Sequence, residues 1–480
     1  MKTKIKLLLT SVIAILLAIV FVGCSTSNTL LDYANKQGLN IAETIDLPKN
    51  GIDGKDGKDG DTIDLYKIYQ QLVELGQFEG EYKDFVKEYL NHEPTQSSAN
   101  KAVNSVVSIF TAFTSTITYS TGYLETAQFE QKYYGAGAGV IFRLDKTSGD
   151  ALVITNYHVC YDNSADPHIS QEISLFLYGN EDFKIETVDS ISVNWTTYKY
   201  QNLVSENKIS ATYLGGSMKY DIAVLKVTNS DILKNSNASA ANFADSNNIS
   251  VGEPTIAVGN PSGRGISVTQ GIVSVDSEYI SMTGVDNVTT CQFRVIRTDT
   301  AINGGNSGGG LFNADGDLIG IVNAKISNSS IENIGYAIPS NVAKYVAENI
   351  VRNCNGEDSL NVKRCMLGIA LDAKSSSAVG RYTEDGYKTE IVETVIVGTI
   401  DNTSIVKDQL SVGDIIKSVT INYTNGTSIT KNVTRTFHLI DLSLTIGVGD
   451  IMTISLTDAN GTAKDNIFVT FTANELVVFD

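Results

Sequence analysis

The stretch Thr298-Asp-Thr-Ala-Ile-Asn-Gly-Gly-Asn-Ser-Gly-Gly-Gly-Leu311 places a serine, Ser307, in a turn with glycines on both sides. A serine that attacks an acyl group needs an exposed hydroxyl, a nearby base and hydrogen-bond donors for the oxyanion. The glycines let the backbone turn sharply and leave no side chain over the hydroxyl. The turn can also aim the amides of Gly305 and Ser307 at one point. Because glycine, asparagine and serine dominate ordinary surface turns too, the stretch needs partners elsewhere to indicate a nucleophile.

A histidine and an aspartate upstream occupy positions that suit this chemistry. Of the four histidines, His158 is the one placed where an apolar strand, Ala151–Thr155, ends in a turn. Asp221 comes directly before the apolar run Ile222–Val227, which is typical of a buried strand. An aspartate there can point its carboxylate inward and orient an imidazole. A structural histidine and an ordinary turn-forming aspartate are the alternatives.

Three short motifs carry a resemblance to a known protease family. Their order, His then Asp then Ser, is the chymotrypsin-type order. Together they resemble the trypsin-like HtrA (DegP/Do-like) serine proteases over about residues 106–345: Thr155-Asn-Tyr-His-Val159, Asp221-Ile-Ala-Val-Leu225 and Asn303-Gly-Gly-Asn-Ser-Gly-Gly309. The resemblance implies an endopeptidase that forms an acyl-enzyme and needs neither a cofactor nor a metal ion.

The same resemblance assigns roles to single residues. His158 is expected to act as general base and then general acid, Asp221 to orient its imidazole, and Ser307 to be the nucleophile. The amides of Gly305 and Ser307 are expected to form the oxyanion hole. Small aliphatic residues are the implied cleavage preference, with a pocket wall that includes Thr300–Asn303 and Asn323–Lys325.

Two departures from the family pattern concern loops. Gly310 stands where a proline is usual after the glycine pair. The interval from His158 to Asp221 is longer than is typical, which predicts an insertion around residues 180–208. Neither departure changes a catalytic group.

The predicted fold class is all-β, with a chymotrypsin-like double β-barrel over residues 100–350. A polar linker, Cys354–Cys365, leads to a PDZ-like domain over residues 366–480. Within that domain Leu367, Gly368 and Ile369 would form the loop that receives a peptide carboxylate. An immunoglobulin-like or other small β module is the alternative.

The sequence of the N-terminal part indicates where the protein is located in the cell and does not indicate an activity. Lysines, the apolar run Leu7–Val22 and a following Cys24 resemble a bacterial lipoprotein signal peptide over residues 1–24, with Cys24 lipidated. An uncleaved membrane anchor is the alternative. Residues 25–62 are predicted as a spacer with collagen-like glycine triplets, either flexible or a relic of trimerisation. Residues 63–95 predict a short helical hairpin.

Composition limits the partners. The net charge is −18, and no basic run occurs beyond the extreme N-terminus, so nucleic acid and anionic membrane surfaces are not expected to bind the body of the protein. The cysteine spacing fits no zinc pattern, and pairing cannot be deduced from it. The family resemblance implies unfolded or misfolded proteins as substrates, peptide C-termini or strands at the PDZ-like domain, and a homotrimer.

Two other functions compete with this prediction. A secreted glutamyl-endopeptidase-like protease can share the Thr-Asn-x-His and Gly-Asn-Ser-Gly motifs. A surface binding or chaperone-like protein with an idle protease fold suits the stalk-like N-terminus. The complete set of three candidate catalytic groups argues against the second.

Overall fold

A computed structural model of the chain describes residues 95–122, 125–323, 334–353, 362–383 and 386–478, with the isolated positions 70 and 73. The chain divides into two compact units, and the described elements belong to the second, Pro94–Asp480. The predicted signal peptide with Cys24, the spacer over 25–62 and the helical hairpin over 63–95 lie almost wholly outside these residues and stay predictions. Within the described residues, no helix has the length and apolar character needed to cross a bilayer.

The first barrel is built from strands that pair mainly in antiparallel fashion. Pairing of β1 with β2 closes a ring of six strands in the order β1-β4-β7-β8-β3-β2. Closure leaves no free edge in the ring and turns alternate apolar side chains inward, where Ile109, Ile141 and Leu225 are buried. The elements are α1 (Thr95–Val103), β1 (Val106–Gly122), β2 (Glu125–Asp145), β3 (Asp150–Thr155), α2 (Tyr157–Cys160), β4 (Glu172–Leu177), β5 (Lys184–Val193), β6 (Thr196–Val204), β7 (Ile209–Ser217), β8 (Ile222–Val227) and α3 (Asp231–Asn235).

An extra hairpin, β5–β6, projects from this ring. It joins the sheet where β6 runs parallel to β2, with Tyr200 opposite Lys132. Most of its side chains are exposed, and Trp195 at its turn is fully exposed. The hairpin occupies the stretch in which the sequence predicted an insertion, so the extra residues extend the barrel rather than interrupt it.

A second closed barrel follows, with strand order β10-β11-β14-β13-β12-β9. After it, α4 buries Val342, Val346 and Ile350 against strands of both barrels. The predicted all-β class with two barrels is therefore confirmed. The elements are β9 (Pro254–Gly259), a 3-10 turn (Pro261–Gly263), β10 (Ser267–Thr283), β11 (Thr290–Thr298), β12 (Gly310–Phe312), β13 (Leu318–Val322), β14 (Gly335–Pro339) and α4 (Ser340–Asn353).

The C-terminal module is a further β unit with its own apolar core. Its main sheet has the order β16-β17-β18-β20-β21, β19 pairs with β18, and β15 pairs with β22. Cys365, expected at the end of a polar linker, is instead buried in β15, because pairing with β22 places it over the core. The elements are β15 (Lys363–Cys365), β16 (Ile369–Thr383), β17 (Gly386–Ile400), β18 (Ile415–Asn422), β19 (Ser428–Asn432), α5 (Phe437–Leu442), β20 (Ile451–Thr457), β21 (Ile467–Thr470) and β22 (Leu476–Val478).

Charged side chains join the C-terminal module to the second barrel. The buried guanidinium of Arg294 on β11 lies 2.5 Å from an oxygen of Asp441 on α5, and 3.9 Å from the ring centroid of Phe437. Arg435 pairs with Asp276 of β10 at 2.9 Å. Loss of one member of a buried ion pair leaves the other charge uncompensated, so removal of either Arg294 or Asp441 would destabilise this contact between the module and the barrel.

Candidate active site

The pairing of two neighbouring strands brings His158 and Asp221 together. In the first barrel β3 runs antiparallel to β8, with Thr155 opposite Ala223. His158 comes three residues after Thr155, in the single-turn helix α2, and Asp221 comes two residues before Ala223. The end of one strand thus lies beside the start of the other, which is the convergence predicted from the sequence.

The imidazole and the carboxylate form a close pair. His158 Nδ1 lies 2.7 Å from Asp221 Oδ2, and the backbone amide of His158 donates to Asp221 Oδ1 at 3.0 Å. A carboxylate acceptor at Nδ1 favours the tautomer with its proton on Nδ1. The lone pair is then on Nε2, where a general base needs it.

Asp221 is itself held in an uncommon backbone conformation. Its φ is +50°, a region that non-glycine residues seldom occupy. Its carbonyl accepts from Asn156 Nδ2 at 2.9 Å, and its carboxylate Oδ2 accepts from Asn323 Nδ2 at 2.7 Å. Such strain persists only where neighbouring groups fix it, and here two buried amides fix both ends of the aspartate.

The loop that carries Ser307 packs against the same region. The carbonyl of Ser307 accepts from the Ala138 amide of β2 at 2.8 Å. At Gly308, where φ is +81°, an added Cβ would lie 2.2 Å from Thr155 Oγ1 and from the Ala138 carbonyl. The serine loop therefore contacts the end of the strand that leads to His158. Ser307 as a whole is only 5% exposed, less than an open surface turn predicts, because the loop packs onto the barrel.

Two peptide groups in this loop have fixed directions. The Gly304 carbonyl accepts from the Ser262 amide at 2.8 Å, and the Asn306 carbonyl accepts from the Gly309 amide at 2.9 Å. In a trans peptide the N–H points opposite to the C=O, so the amides of Gly305 and Ser307 point away from these partners. Among the described backbone groups, neither amide has an acceptor, so both are candidate donors to a bound oxyanion.

Part of the predicted pocket wall is apolar. Ile302 lies so close to β14 that an added Cβ at Gly335 would be 2.6 Å from its Cδ1. Thr300, also in the predicted wall, is buried and shares hydroxyl hydrogen bonds with Thr255 and Thr298. Lys325 lies outside the described residues.

Cys160 is buried beside the candidate site without sharing its chemistry. Burial, and secondly the charge of Asp221, raises the pKa of its thiol far above the usual range. The thiol therefore stays protonated and is not a nucleophile. Among the described cysteines, Cys160, Cys291 and Cys365, no disulfide joins one to another, and Cys354 lies outside the described residues.

The predicted carboxylate-binding loop, Leu367 to Ile369, is more than 50 residues from Ser307 along the chain and lies in the C-terminal module. The Leu367 carbonyl accepts from Ser404 Oγ at 2.7 Å, and the Gly368 carbonyl accepts from the Asp401 amide at 2.8 Å. The amides of Gly368 and Ile369 therefore point away from residues 401–404. Gly368 has φ +71°, which suits glycine.

Asn323 and Asn156 are site residues whose roles the sequence did not reveal. Asn323 was expected only in a pocket wall, yet its amide donates to the carboxylate of Asp221. The available signal was an asparagine directly after the apolar strand β13, a position where a buried amide requires a partner.

Comparison with known proteins shows similarity to peptidases over the region of the two barrels. Residues 137–321 match the family model described as "Trypsin-like peptidase domain". The chain is 36% identical over 219 residues to the "Serine protease Do-like HtrA" of Bacillus subtilis (strain 168), covering 45% of this chain and 39% of that protein. It is 32% identical over 291 residues to the "Periplasmic serine endoprotease DegP" of Escherichia coli (strain K12), covering 60% of this chain and 49% of that protein.

Among solved structures, the "HtrA-type protease AlgW with decapeptide" aligns with 80% of this chain and 99% of that chain, at 22% identity and a TM-score of 0.43. The chain spans between 39% and 49% of the length of the two curated relatives above. Residues 137–321 thus match the trypsin-like peptidase domain, and the chain is similar to the HtrA/DegP serine proteases over 45% to 60% of its length.

Proposed function

We propose that this protein is an extracytoplasmic serine endopeptidase that hydrolyses unfolded or damaged proteins through an acyl-enzyme. The observation that carries the proposal is the His158–Asp221 pair, supported by Asn323 and adjoined by the Ser307 loop. The DegP and HtrA relatives are named as serine proteases, which supports the same reaction class.

In the proposed mechanism, His158 Nε2 takes the proton of the Ser307 hydroxyl as its oxygen attacks the peptide carbonyl. The imidazolium, stabilised by Asp221, then gives that proton to the leaving amine as the C–N bond breaks. Water, deprotonated by the same imidazole, attacks the acyl-enzyme ester and releases the acid and the free serine. The amides of Gly305 and Ser307 donate to the oxyanion in both tetrahedral intermediates, and one such donor is worth about 3 kcal/mol.

The proposed preference is for small aliphatic residues at the cleaved bond. The side chain of Ile302 packs against Gly335, makes this part of the predicted pocket wall apolar and reduces the width of the pocket beside β14. An apolar pocket gains little from a charged side chain, which would lose its hydration there. In the described part of the wall, which does not include Lys325, Ile302 thus favours an aliphatic side chain over the glutamate that the alternative protease requires.

The C-terminal module is proposed to act as a PDZ-like domain that holds a substrate C-terminus or strand. This role is supported by the amides of Gly368 and Ile369. Both amides point away from residues 401–404 and are suited to donate to a carboxylate. Deletion of residues 366–480 is expected to slow protein turnover more than cleavage of short peptides. Equal loss of both activities would contradict this role.

Tethering through a lipid on Cys24 and assembly as a homotrimer complete the proposal. Both rest on resemblance to lipoproteins and to HtrA proteases. A Cys24→Ser chain should lose incorporation of a palmitate analogue and move out of the membrane fraction. Retention of the label would contradict lipidation at Cys24.

The decisive test compares wild type, Ser307→Ala and the surface control Ser190→Ala. An unfolded protein is incubated with each, and the products are mapped by mass spectrometry. Cleavage and labelling by a fluorophosphonate should vanish in Ser307→Ala alone, and wild-type cuts should follow small aliphatic residues. Cleavage by Ser307→Ala would refute the nucleophile, and cuts confined to glutamate would favour the alternative protease.

A further inference from the structure

A carboxylate from the loop before the β5–β6 hairpin reaches the second barrel. Glu181 Oε1 accepts from the backbone amide of Ile266 at 2.8 Å. Its other oxygen accepts from the Gly179 amide at 2.9 Å, and the Ser108 hydroxyl lies 3.5 Å from Oε1. Glu181 is half-buried, so its hydrogen bonds to the two amides are charge-assisted and partly shielded from water. This residue thus connects the extra hairpin of the first barrel to a loop of the second.

That loop, the 260–266 segment, lies directly behind the candidate oxyanion amides. The Ser262 amide donates to the Gly304 carbonyl at 2.8 Å, and the Asn260 amide donates to the Gly305 carbonyl at 3.3 Å. An added Cβ at Gly305 would lie 2.3 Å from the Asn260 carbonyl oxygen. The Ser262 contact holds the carbonyl of the Gly304–Gly305 peptide, and the Asn260 contact holds the carbonyl of the next peptide. The position of the segment therefore sets the direction of the Gly305 amide.

The 260–266 segment requires support from outside itself. Ser262 has φ +57°, a strained value for a residue with a side chain, and it is exposed. On its inner side the segment is held by Asn260, whose Oδ1 accepts from the Gly265 amide at 2.8 Å and whose Nδ2 donates to the Gly137 carbonyl at 3.2 Å. On its outer side Glu181 holds the Ile266 amide. The Asn260 contact to Gly137 and the Glu181 contact to Ile266 therefore help to hold this strained conformation.

We propose that Glu181 is a positioning residue for the oxyanion hole, acting through the 260–266 segment. The inference rests on the proposed hydrolase function. Without the carboxylate, the segment relaxes, the Ser262 amide leaves the Gly304 carbonyl, and the Gly304–Gly305 peptide is free to rotate. The Gly305 N–H then no longer points at the oxyanion, while the substrate-binding surface and the His158–Asp221 pair are unchanged. The effect should therefore fall on the transition state and not on substrate binding.

The test uses the full chain with Glu181→Ala, Glu181→Gln and the matched control Asp182→Asn. Asp182 is the adjacent acid, but its Oδ1 accepts from the side chain of Asn207 at 2.6 Å. We expect Glu181→Ala to lower kcat roughly 10- to 100-fold with KM nearly unchanged, since it disturbs one of two oxyanion donors. Glu181→Gln should recover most of kcat because its side-chain oxygen still accepts from Ile266. Asp182→Asn should match wild type.

A second measurement separates positioning from general destabilisation. The affinity of a peptide boronate, which mimics the tetrahedral intermediate, should fall in Glu181→Ala in proportion to kcat/KM. Binding of the uncleaved substrate peptide, measured in the Ser307→Ala background, should not change. Unchanged kcat and boronate affinity in Glu181→Ala, or equal losses in Asp182→Asn, would overturn the inference. Since loss of cleavage in Ser307→Ala establishes the reaction independently, such a result would leave the proposed function intact.

Discussion

Asp221 holds His158 at two points: one carboxylate oxygen lies 2.7 Å from the imidazole Nδ1, and the other accepts from the His158 backbone amide at 3.0 Å. The two contacts fix both the ring and the chain that carries it. A single contact to the ring would leave the backbone free to shift the whole side chain. The pair therefore orients Nε2 more firmly than an ion pair between flexible side chains can.

Replacing Asp221 by Asn should leave the fold intact and lower kcat by about 10⁴-fold. The amide of the new side chain donates toward Nδ1, so the imidazole adopts the tautomer that has its proton on Nε2 and no longer serves as a base. Steady-state kinetics with a peptide substrate measure the effect, and circular dichroism checks the fold. Asp231→Asn on the exposed helix α3 is the control. Activity near wild type would contradict the role of Asp221.

Asn323→Leu should lower kcat/KM by roughly 10- to 100-fold, because a hydrogen bond to a charged group is worth about 1.5–3 kcal/mol. Leucine keeps the volume and removes the donor to Asp221 Oδ2, which leaves the carboxylate less firmly oriented. Asn235→Leu, at an exposed site on α3, controls for the amide-to-leucine change. If Asn323→Leu cleaved peptides at the wild-type rate, Asn323 would have only a packing role.

Gly305 and Gly304 offer a matched pair of substitutions. Gly305 has φ +98°, and its added Cβ would lie 2.3 Å from the Asn260 carbonyl, whereas an added Cβ at Gly304 meets nothing within 4 Å. Gly305→Ala must therefore turn the peptide that carries a proposed oxyanion donor. We expect a loss of about 10²–10³-fold in kcat for Gly305→Ala and little change for Gly304→Ala. Equal effects in both variants would argue against the assignment.

His438 should make the C-terminal module less stable in mild acid. Burial first, and then the nearby charges of Lys431, Arg294 and Arg435, lower its pKa to about 4 from the usual 6.5. Its Nδ1 lies 3.3 Å from the Thr434 amide and 3.2 Å from the Asn432 carbonyl, and the second contact opposes the lowering without cancelling it. Below about pH 6.5 the unfolded chain takes up a proton that the folded chain does not. Stability should therefore fall between about pH 6.5 and pH 4, by up to about 3 kcal/mol.

Urea unfolding followed by circular dichroism, near pH 7 and near pH 5, measures this dependence. The free energy of unfolding of His438→Phe should differ less between about pH 7 and pH 5 than that of wild type. His168→Gln, which replaces an exposed histidine, should show the same difference as wild type. An unaltered pH dependence in His438→Phe would show that other groups carry the effect.

Much of the fold was predictable because strand periodicity and glycine turns are local signals. The apolar runs Ala151–Thr155 and Ile222–Val227 predicted strands, and they are the strands β3 and β8. The chain also showed where the barrel carries extra residues, between His158 and Asp221. It did not show that those residues form a hairpin, because the apolar residues of β5 and β6 do not alternate regularly with polar ones, as they do on a strand with one buried face.

By itself the sequence determined the identity and order of the candidate groups, His158, Asp221 and Ser307, because each stands in a motif whose neighbours restrict the local backbone. Only the tertiary structure decided what supports them. Asn323 lies 102 residues from Asp221 along the chain, and Glu181 lies 85 residues from Ile266, whose amide donates to it. Such contacts depend on strand register and barrel closure, which bring distant residues together and leave no pattern in any short stretch of sequence.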